Sequence, residues 1–157
     1  MKIGIISDTH DNIPKIKKAL AAFAARKCEA LIHAGDVISP FAAKALRAAK
    51  LPIHAIYGNN DGERKGLADL LPGICDGPRL LEIDGRKILV AHSIAQITEQ
   101  AKAGVDLVIV GHTHVAGLER TKPLVLNPGE CGGWLYGRHT VAVLDTARMA
   151  IEEISLD

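Results

Sequence analysis

The sequence predicts an α/β fold of mixed β-sheets with helices on the outside, as one domain over residues 1–157. Three observations predict it. Short apolar runs alternate with helical periodicity through the first half of the chain, which reads as βαβαβ. The second half reads as hairpins and short buried strands. No repeat, linker or low-complexity stretch divides the chain, and 157 residues suffice to bury a substantial core.

The first run, KIGII (2–6), predicts a buried strand that ends at the polar SDTHDN. Asp11 or Asn12 can cap the following helix, and Pro14 suits its first turn, where a missing N–H costs nothing. Ile16, Leu20, Phe23 and Ala24 recur at helical spacing, while Lys15, Lys17, Lys18 and Lys27 remain available to solvent. EALIHAG (29–35) predicts a second strand, FAAKALRAAK (41–50) a second helix and PIHAIYG (52–58) a third strand, with a weaker helix around 64–71. In RLLEIDGRKILVAH (79–92) two strand-like runs meet at Asp84-Gly85, a pair suited to a tight hairpin turn. A helix around 94–103 is expected before the buried strand VDLVIVG (105–111). LVLNPGE (124–130) leads into a glycine-rich turn, and 139–156 reads as a final antiparallel pair.

Composition narrows the function classes. A net charge of +1 gives no reason to expect nucleic acid or an anionic membrane, and 3% aromatic residues leave little for base stacking. Cys28, Cys75 and Cys131 are odd in number and form no CxxC pair, so they read as free thiols in a reducing compartment. The N-terminus turns polar too early for a signal peptide, and no apolar run is long enough to span a bilayer. A cytoplasmic protein is expected.

Polar residues gather just after the buried strands. Asp8 and His10 follow the first, Asp36 the second and Asn59 the third; His92 ends the hairpin, and His112 and His114 follow the run at 105–110. In open α/β sheets, sites form beyond the carboxyl ends of strands. Each piece alone is ordinary: Asp-x-His serves as a cap and turn, Gly35-Asp36 and Gly58-Asn59 are common turn pairs, and a single histidine often closes a strand. Gly-His-Thr-His says more, because alternate residues of an extended segment project to opposite faces and can straddle two ions. Together, seven candidate ligands exceed the four that one structural zinc takes. If one carboxylate bridges, seven ligands supply four contacts to each of two ions. Two ions about 3.5–4 Å apart can share a hydroxide and stabilise both the attacking and leaving oxygens of a phosphoryl displacement.

The elements SDTHDN, HAGDV, YGNND, VAHS, GHTH and NPGE, in that order over residues 7–130, resemble the calcineurin-like metallophosphoesterases, above all their small, lid-free YfcE-like branch. The resemblance implies a four-layer α/β/β/α sandwich of two mixed sheets with ions at the sheet edges. It implies that Asp8, His10, Asp36 and His114 hold one ion and that Asp36, Asn59, His92 and His112 hold the other, with Asp36 bridging. The implied cofactors are two divalent ions, manganese foremost, with nickel, iron and zinc as alternatives. The implied function is metal-dependent phosphoesterase activity on a small phosphodiester, or secondarily a phosphomonoester, by attack of the bridging hydroxide. Neither nucleic acid nor membrane is indicated as a partner, and a homo-oligomer is compatible with the sequence.

Three departures thin the outer shell. The family's Gly-Asn-His becomes Gly58-Asn59-Asn60, so the residue that would contact phosphate and protonate the leaving oxygen is an amide, which donates a hydrogen bond but delivers no proton. Asn60 and Asp61 are the candidates for substrate or leaving-group contacts. His92-Ser93-Ile94 stands for His-Gly-His, and NPGE for Asn-Pro-Gly-Ser. A non-catalytic interaction scaffold of the same fold, like the retromer subunit, is the alternative these changes keep open. Outside the ligand set, His33 reads as a residue that orients a ligand from behind or as a satisfied strand histidine, His54 and His139 as structural or exposed, and Trp134 as a packing residue or a wall of the site.

Overall fold

A computed structural model describes residues 1–157. In the first half, β1 (Lys2–Ile6), β2 (Ala30–His33) and β3 (Ile53–Ala55) are connected by α1 (Ile13–Ala25) and α2 (Pro40–Arg47), and α3 (Arg64–Leu70) follows. These strands pair in parallel. The second half contributes β4 (Arg79–Ile83), β5 (Arg86–Val90), β6 (Leu107–Ile109), β7 (Gly117–Glu119), β8 (Leu124–Asn127), β9 (Thr140–Asp145) and β10 (Ala150–Ser155). Two five-stranded mixed sheets result, ordered β10-β9-β1-β2-β3 and β4-β5-β6-β8-β7. The final hairpin therefore returns to the first sheet, where β9 pairs antiparallel with β1.

Local chemistry explains the elements. The Asn12 side chain accepts the Lys15 N–H at 3.3 Å, so Asn12 is the cap of α1, with Pro14 in its first turn. Asp84 and Gly85 both adopt positive φ, 51° and 72°, which closes the β4–β5 hairpin in two residues. Side chains alternate along the strands and sort into two faces. Ile3, Ile5, Ile32 and Leu144 of the first sheet meet Ile88, Leu107 and Ile109 of the second in the central core. The opposite face of the first sheet packs under the helices through Leu31, Val143, Ile16, Phe23, Leu46 and Leu67. Gly4 makes this contact possible: a Cβ there would lie 2.8 Å from both Leu31 Cδ2 and Phe23 Cγ.

The outer face of the second sheet departs from the periodicity reading. The helix expected around 94–103 is two single 3-10 turns, Ile94–Gln96 and Gln100–Lys102, and Ile97 between them is extended. Ser93 and Gln96 close a capping box on the first turn, and the Thr98 hydroxyl accepts the Ala101 N–H at 3.2 Å. Such local side-chain bonds compete with a continuous helix. The fourth layer is accordingly thin, with Ile97 and Val105 covering Leu89, Val108 and Val110. β7, at three residues, is too short to show an alternation in the sequence. No helix is long and apolar enough to cross a membrane.

Phe23 is fully buried between α1 and the first sheet, so Phe23→Ala is expected to cost about 3–5 kcal/mol. Urea unfolding should show this as a lower midpoint at unchanged m-value; a loss under 1 kcal/mol would contradict the packing described.

Candidate metal centre

The candidate ligands follow the carboxyl ends of five strands that run parallel within their sheets. Asp8 and His10 follow β1, Asp36 follows β2, Asn59 follows β3, His92 follows β5, and His112 and His114 follow β6. Five of them turn into the left-handed region immediately after their strands: Asp8 at φ 51°, His10 at 40°, Asp36 at 59°, His112 at 67° and His114 at 62°. Non-glycine residues held there cost on the order of 1 kcal/mol or more each and collect at functional sites. Here the sharp turn swings each side chain back over the sheet edge.

The side chains form two sets that meet at Asp36. One ligand atom from each of Asp8, His10, Asp36 and His114 lies within 4.8 Å of the others. His10 Nε2 is 3.3 Å from Asp36 Oδ2, and His114 Nε2 is 3.5 Å from Asp8 Oδ1. In the second set, Asn59 Oδ1 lies 2.9 Å from both His92 Nε2 and His112 Nδ1. His92 Nε2 is also 3.5 Å from Asp36 Oδ2. One carboxylate oxygen thus faces a histidine of each set. The two histidines of GHTH part company: the His114 ring sits 5.1 Å from that of His10, and the His112 ring 5.2 Å from that of His92.

Unsatisfied atoms test whether a cation fits. Asp8 Oδ1 and His10 Nε2 are buried without a hydrogen-bond partner, and both point into the first set. A buried polar atom left unpaired costs about 1–3 kcal/mol, which a divalent cation would remove. Oxygen and imidazole nitrogen donors without thiolate suit borderline-to-hard divalent ions. Burial pushes the Cys28 and Cys131 thiols up to about 11 and about 12, so neither supplies a thiolate.

Electrostatics keeps the carboxylates ionised. Burial alone would raise Asp36, but the His92 imidazole 3.5 Å away and hydrogen bonds from the Asn60 backbone and side chain outweigh it and hold the pKa well below the usual carboxylate range. Burial likewise opposes Asp8, and the neighbouring His10 imidazole and Ser7 hydroxyl, with the charges of His92 and His114, bring it down. His10 is raised by the Asp8 carboxylate, whose Oδ1 lies 3.8 Å from its Nε2, against the opposing effect of burial. His92 is raised by Asp36 and the Ala34 carbonyl against the opposing effect of burial.

A second layer fixes these groups. His92 Nδ1 donates to the Ala34 carbonyl at 2.8 Å, which leaves Nε2 for a cation. Gly58 and Gly111 leave room for the ligands: a Cβ at Gly58 would strike Asp36, and one at Gly111 would strike Ser7 and come 2.7 Å from Asp8 Oδ2. Asn60 sits at the centre, with its amide donating to Asp36 Oδ2 at 2.8 Å and its backbone N–H to Oδ1 at 2.9 Å. Asp61, the other candidate for substrate contact, is 5% exposed and accepts three backbone N–H groups, from Asp36, Ile38 and Gly58, at 2.7–3.0 Å. Its carboxylate is directed into the protein and clamps the Asp36 turn to the Gly58 turn.

Other residues are also placed. His33 is wholly buried, with Nδ1 accepting the Gly35 N–H and Nε2 3.2 Å from the Thr9 hydroxyl. His54 and His139 are half-buried outside the cluster. Trp134 is not packed in the core: the residue is 69% exposed, and Nε1–H donates to the His10 carbonyl at 3.0 Å. The residue that sequence reasoning did not assign is Glu130. Fully buried, it accepts the Trp134 and Leu135 N–H groups, and its Oε1 stands 3.2 Å from His114 Nδ1. The signal was NPGE in place of Asn-Pro-Gly-Ser.

Two outcomes follow. A carboxylate behind a metal-ligating histidine typically contributes 10–100-fold in metal affinity, so Glu130→Ala should weaken cation binding by roughly that factor. Glu130→Gln, which keeps an acceptor for Trp134, should lose less; equal losses by calorimetric titration would remove the charge from the explanation. Burial pushes His33 down to about 4 from 6.5, so the unfolded chain binds its proton more readily. His33 therefore destabilises the apoprotein as pH falls from about 6.5 toward 4 and has no such effect above that window. His33→Asn, which can still accept the Gly35 N–H, should show a shallower fall in unfolding free energy between those pH values; an identical slope would contradict the assignment.

Residues 1–149 match the Calcineurin-like phosphoesterase superfamily domain. Phosphodiesterase MJ0936 from Methanocaldococcus jannaschii is 43% identical over 166 aligned positions covering 100% of each chain. The solved structure of an archaeal phosphodiesterase superimposes with a TM-score of 0.91 at 41% identity over 99% of each chain. Yfce, a phosphoesterase from E. coli, shares the fold at a TM-score of 0.74 and 19% identity, with all of each chain covered. The chain belongs to the calcineurin-like phosphoesterase superfamily.

Proposed function

We propose that this protein is a metal-dependent phosphodiesterase whose site holds two divalent ions bridged by Asp36. The observation that carries the reading is the placement of Asp36 Oδ2, 3.3 Å from His10 Nε2 and 3.5 Å from His92 Nε2, where two ligand sets meet. Full-length identity of 43% to a phosphodiesterase supports the reaction class. Asp8, His10, Asp36 and His114 would hold one ion; Asp36, Asn59, His92 and His112 would hold the other. Manganese is first among the candidates, with nickel, iron and zinc compatible with the same donors. Bound divalent ions supply the Lewis acidity and the acidified water that hydrolysis of a phosphate diester requires.

The chain's own groups do the rest. Asp36 enters the site already ionised, and Asp61 fixes its backbone, so no proton must be displaced from the bridging position. Asp8 is oriented by the His112 N–H, which donates to its Oδ2 at 3.1 Å. Asn60 is the nearest amide donor to that junction and is exposed at its mouth, where it would hydrogen-bond a phosphate oxygen. It offers no proton to the leaving oxygen, which favours diesters with stable leaving groups. A purely structural scaffold would gain nothing from five ligands held in left-handed turns, and the intact set argues against that alternative.

Metal analysis tests the binuclear reading. Asp36→Ala is expected to lose both ions, whereas Asp8→Ala spares the second ion more; two ions retained by Asp36→Ala would refute the bridge. Chelation should abolish diester hydrolysis and manganese or nickel should restore it, with inorganic phosphate competing. Turnover that persists at zero metal content would overturn metal-ion catalysis.

Asn60 tests the leaving-group argument. General-acid assistance is typically worth about 10²–10⁴-fold, and it matters most for strongly basic leaving groups. Asn60→His should therefore accelerate alkyl diesters more than nitrophenyl diesters. Equal slopes of rate against leaving-group pKa in the two proteins would show that Asn60 does not mark a missing acid.

A further inference from the structure

We propose that the metal centre is flanked by two separate subsites, one for each organic arm of a phosphodiester, and that the substrate carries a ring-bearing group on both ester oxygens. The inference rests on the phosphodiesterase reading and names its substrate class.

Two clefts open beside the ligand cluster, and they share no lining residue. One, of about 280 Å³, abuts His114 and is walled by Val115, Ala116, Tyr136, Arg138 and Glu153. The other, of about 270 Å³, abuts Asn59, His92 and His112 and is walled by Tyr57, Arg64, Ser93 and Gln96. The first touches the ligand set that contains His10 and His114, the second the set that contains His92 and His112. The two clefts therefore abut different ligand sets, and the sets meet at Asp36. Each cleft exceeds the roughly 150 Å³ that holds a benzene ring in a protein cavity.

The walls differ in chemistry. Tyr136 and Val115 are exposed apolar surface, and Arg138 beside them is in no ion pair or hydrogen bond within the molecule. This side suits an aryl-like group. On the other side, Arg64 is tied to Asp76 at 2.8 Å and lies 4.2 Å over the Tyr57 ring. Gln96 uses its oxygen to accept the Ser93 N–H, and Ser93 uses its oxygen to accept the Ala95 N–H, so the amide NH₂ and the hydroxyl proton are left as donors. This side suits an arm that carries hydrogen-bond acceptors.

The aromatic inventory points the same way. The chain has one Trp, two Tyr and two Phe, and three of these five, Tyr57, Trp134 and Tyr136, border the ligand cluster or its clefts. Trp134 is exposed yet pinned at its ring N–H to His10 and at its backbone N–H to Glu130. A monoester would leave one of the two clefts without an arm, which gives the preference for diesters a structural cause.

Binding of non-hydrolysable phosphinates to the manganese-loaded, full-length protein tests this, read by calorimetry and by the fluorescence of the single tryptophan. Affinity should rise about tenfold from dimethylphosphinate to methyl(phenyl)phosphinate and about tenfold again to phenyl(pyrimidinyl)phosphinate, because the first ring buries apolar surface and the second carries acceptors for the Ser93 and Gln96 donors. The Tyr136→Ala and Arg138→Ala variants should each reduce one of these gains, and Arg64→Ala the other. If the second ring adds nothing, or if all variants weaken the three compounds equally, the two-subsite inference is overturned. If neither dimethylphosphinate nor inorganic phosphate binds the loaded protein and no diester is hydrolysed, the phosphodiesterase reading itself fails.

Discussion

The site depends on how one carboxylate is held. Asp36 stands in a left-handed turn after β2 with its backbone N–H bonded to Asp61. Asp61 also grips Gly58 and Ile38, which ties the turns after β2 and β3 together. That clamp brings Asn59 and Asn60 to Asp36 and sets the carboxylate between His10, which follows β1 of the first sheet, and His92, which follows β5 of the second. Gly58 is required at this joint, because any side chain would occupy the space Asp36 fills. The arrangement concentrates ionised carboxylates and imidazoles in a buried place, a costly state that cations offset.

The sandwich serves this geometry. The candidate ligands come from both sheets, so they meet only while the central core of Ile3, Ile5, Ile32, Ile88, Leu107 and Ile109 keeps the two sheet edges in register. Parallel pairing of β1–β2–β3 and of β5–β6–β8 sends their carboxyl ends to the same side of each sheet. Glu130 adds a long-range tie: it joins the segment after β8 to His114 and to Trp134, so one buried carboxylate links a candidate ligand to the rim of the site.

Much of this was legible in the sequence because strands with both faces buried are apolar and ligands are not. KIGII, ALIH and LVI declare themselves as strands, and Asp8, Asp36, His112 and His114 stand out as polar residues directly after them. What was not legible depends on distant backbone. Asp61 reads as a substrate contact until three N–H groups from separate turns are seen to occupy it, and Glu130 gains its role only from Trp134, Leu135 and His114. The stretch at 94–103 has helical composition, yet Ser93 and Thr98 bond locally and the chain breaks into two turns. Trp134 looks like core by residue type, but its indole N–H finds the His10 carbonyl at the surface.

The central claim is that Asp36 bridges two ions. A crystal structure of the manganese-loaded protein, with diffraction recorded at the manganese absorption edge, tests it most directly. The account predicts two anomalous peaks about 3.5–4 Å apart, with Asp36 touching both, His10 and His114 on one, and His92 and His112 on the other. A single peak, or two peaks of which Asp36 contacts only one, would contradict it.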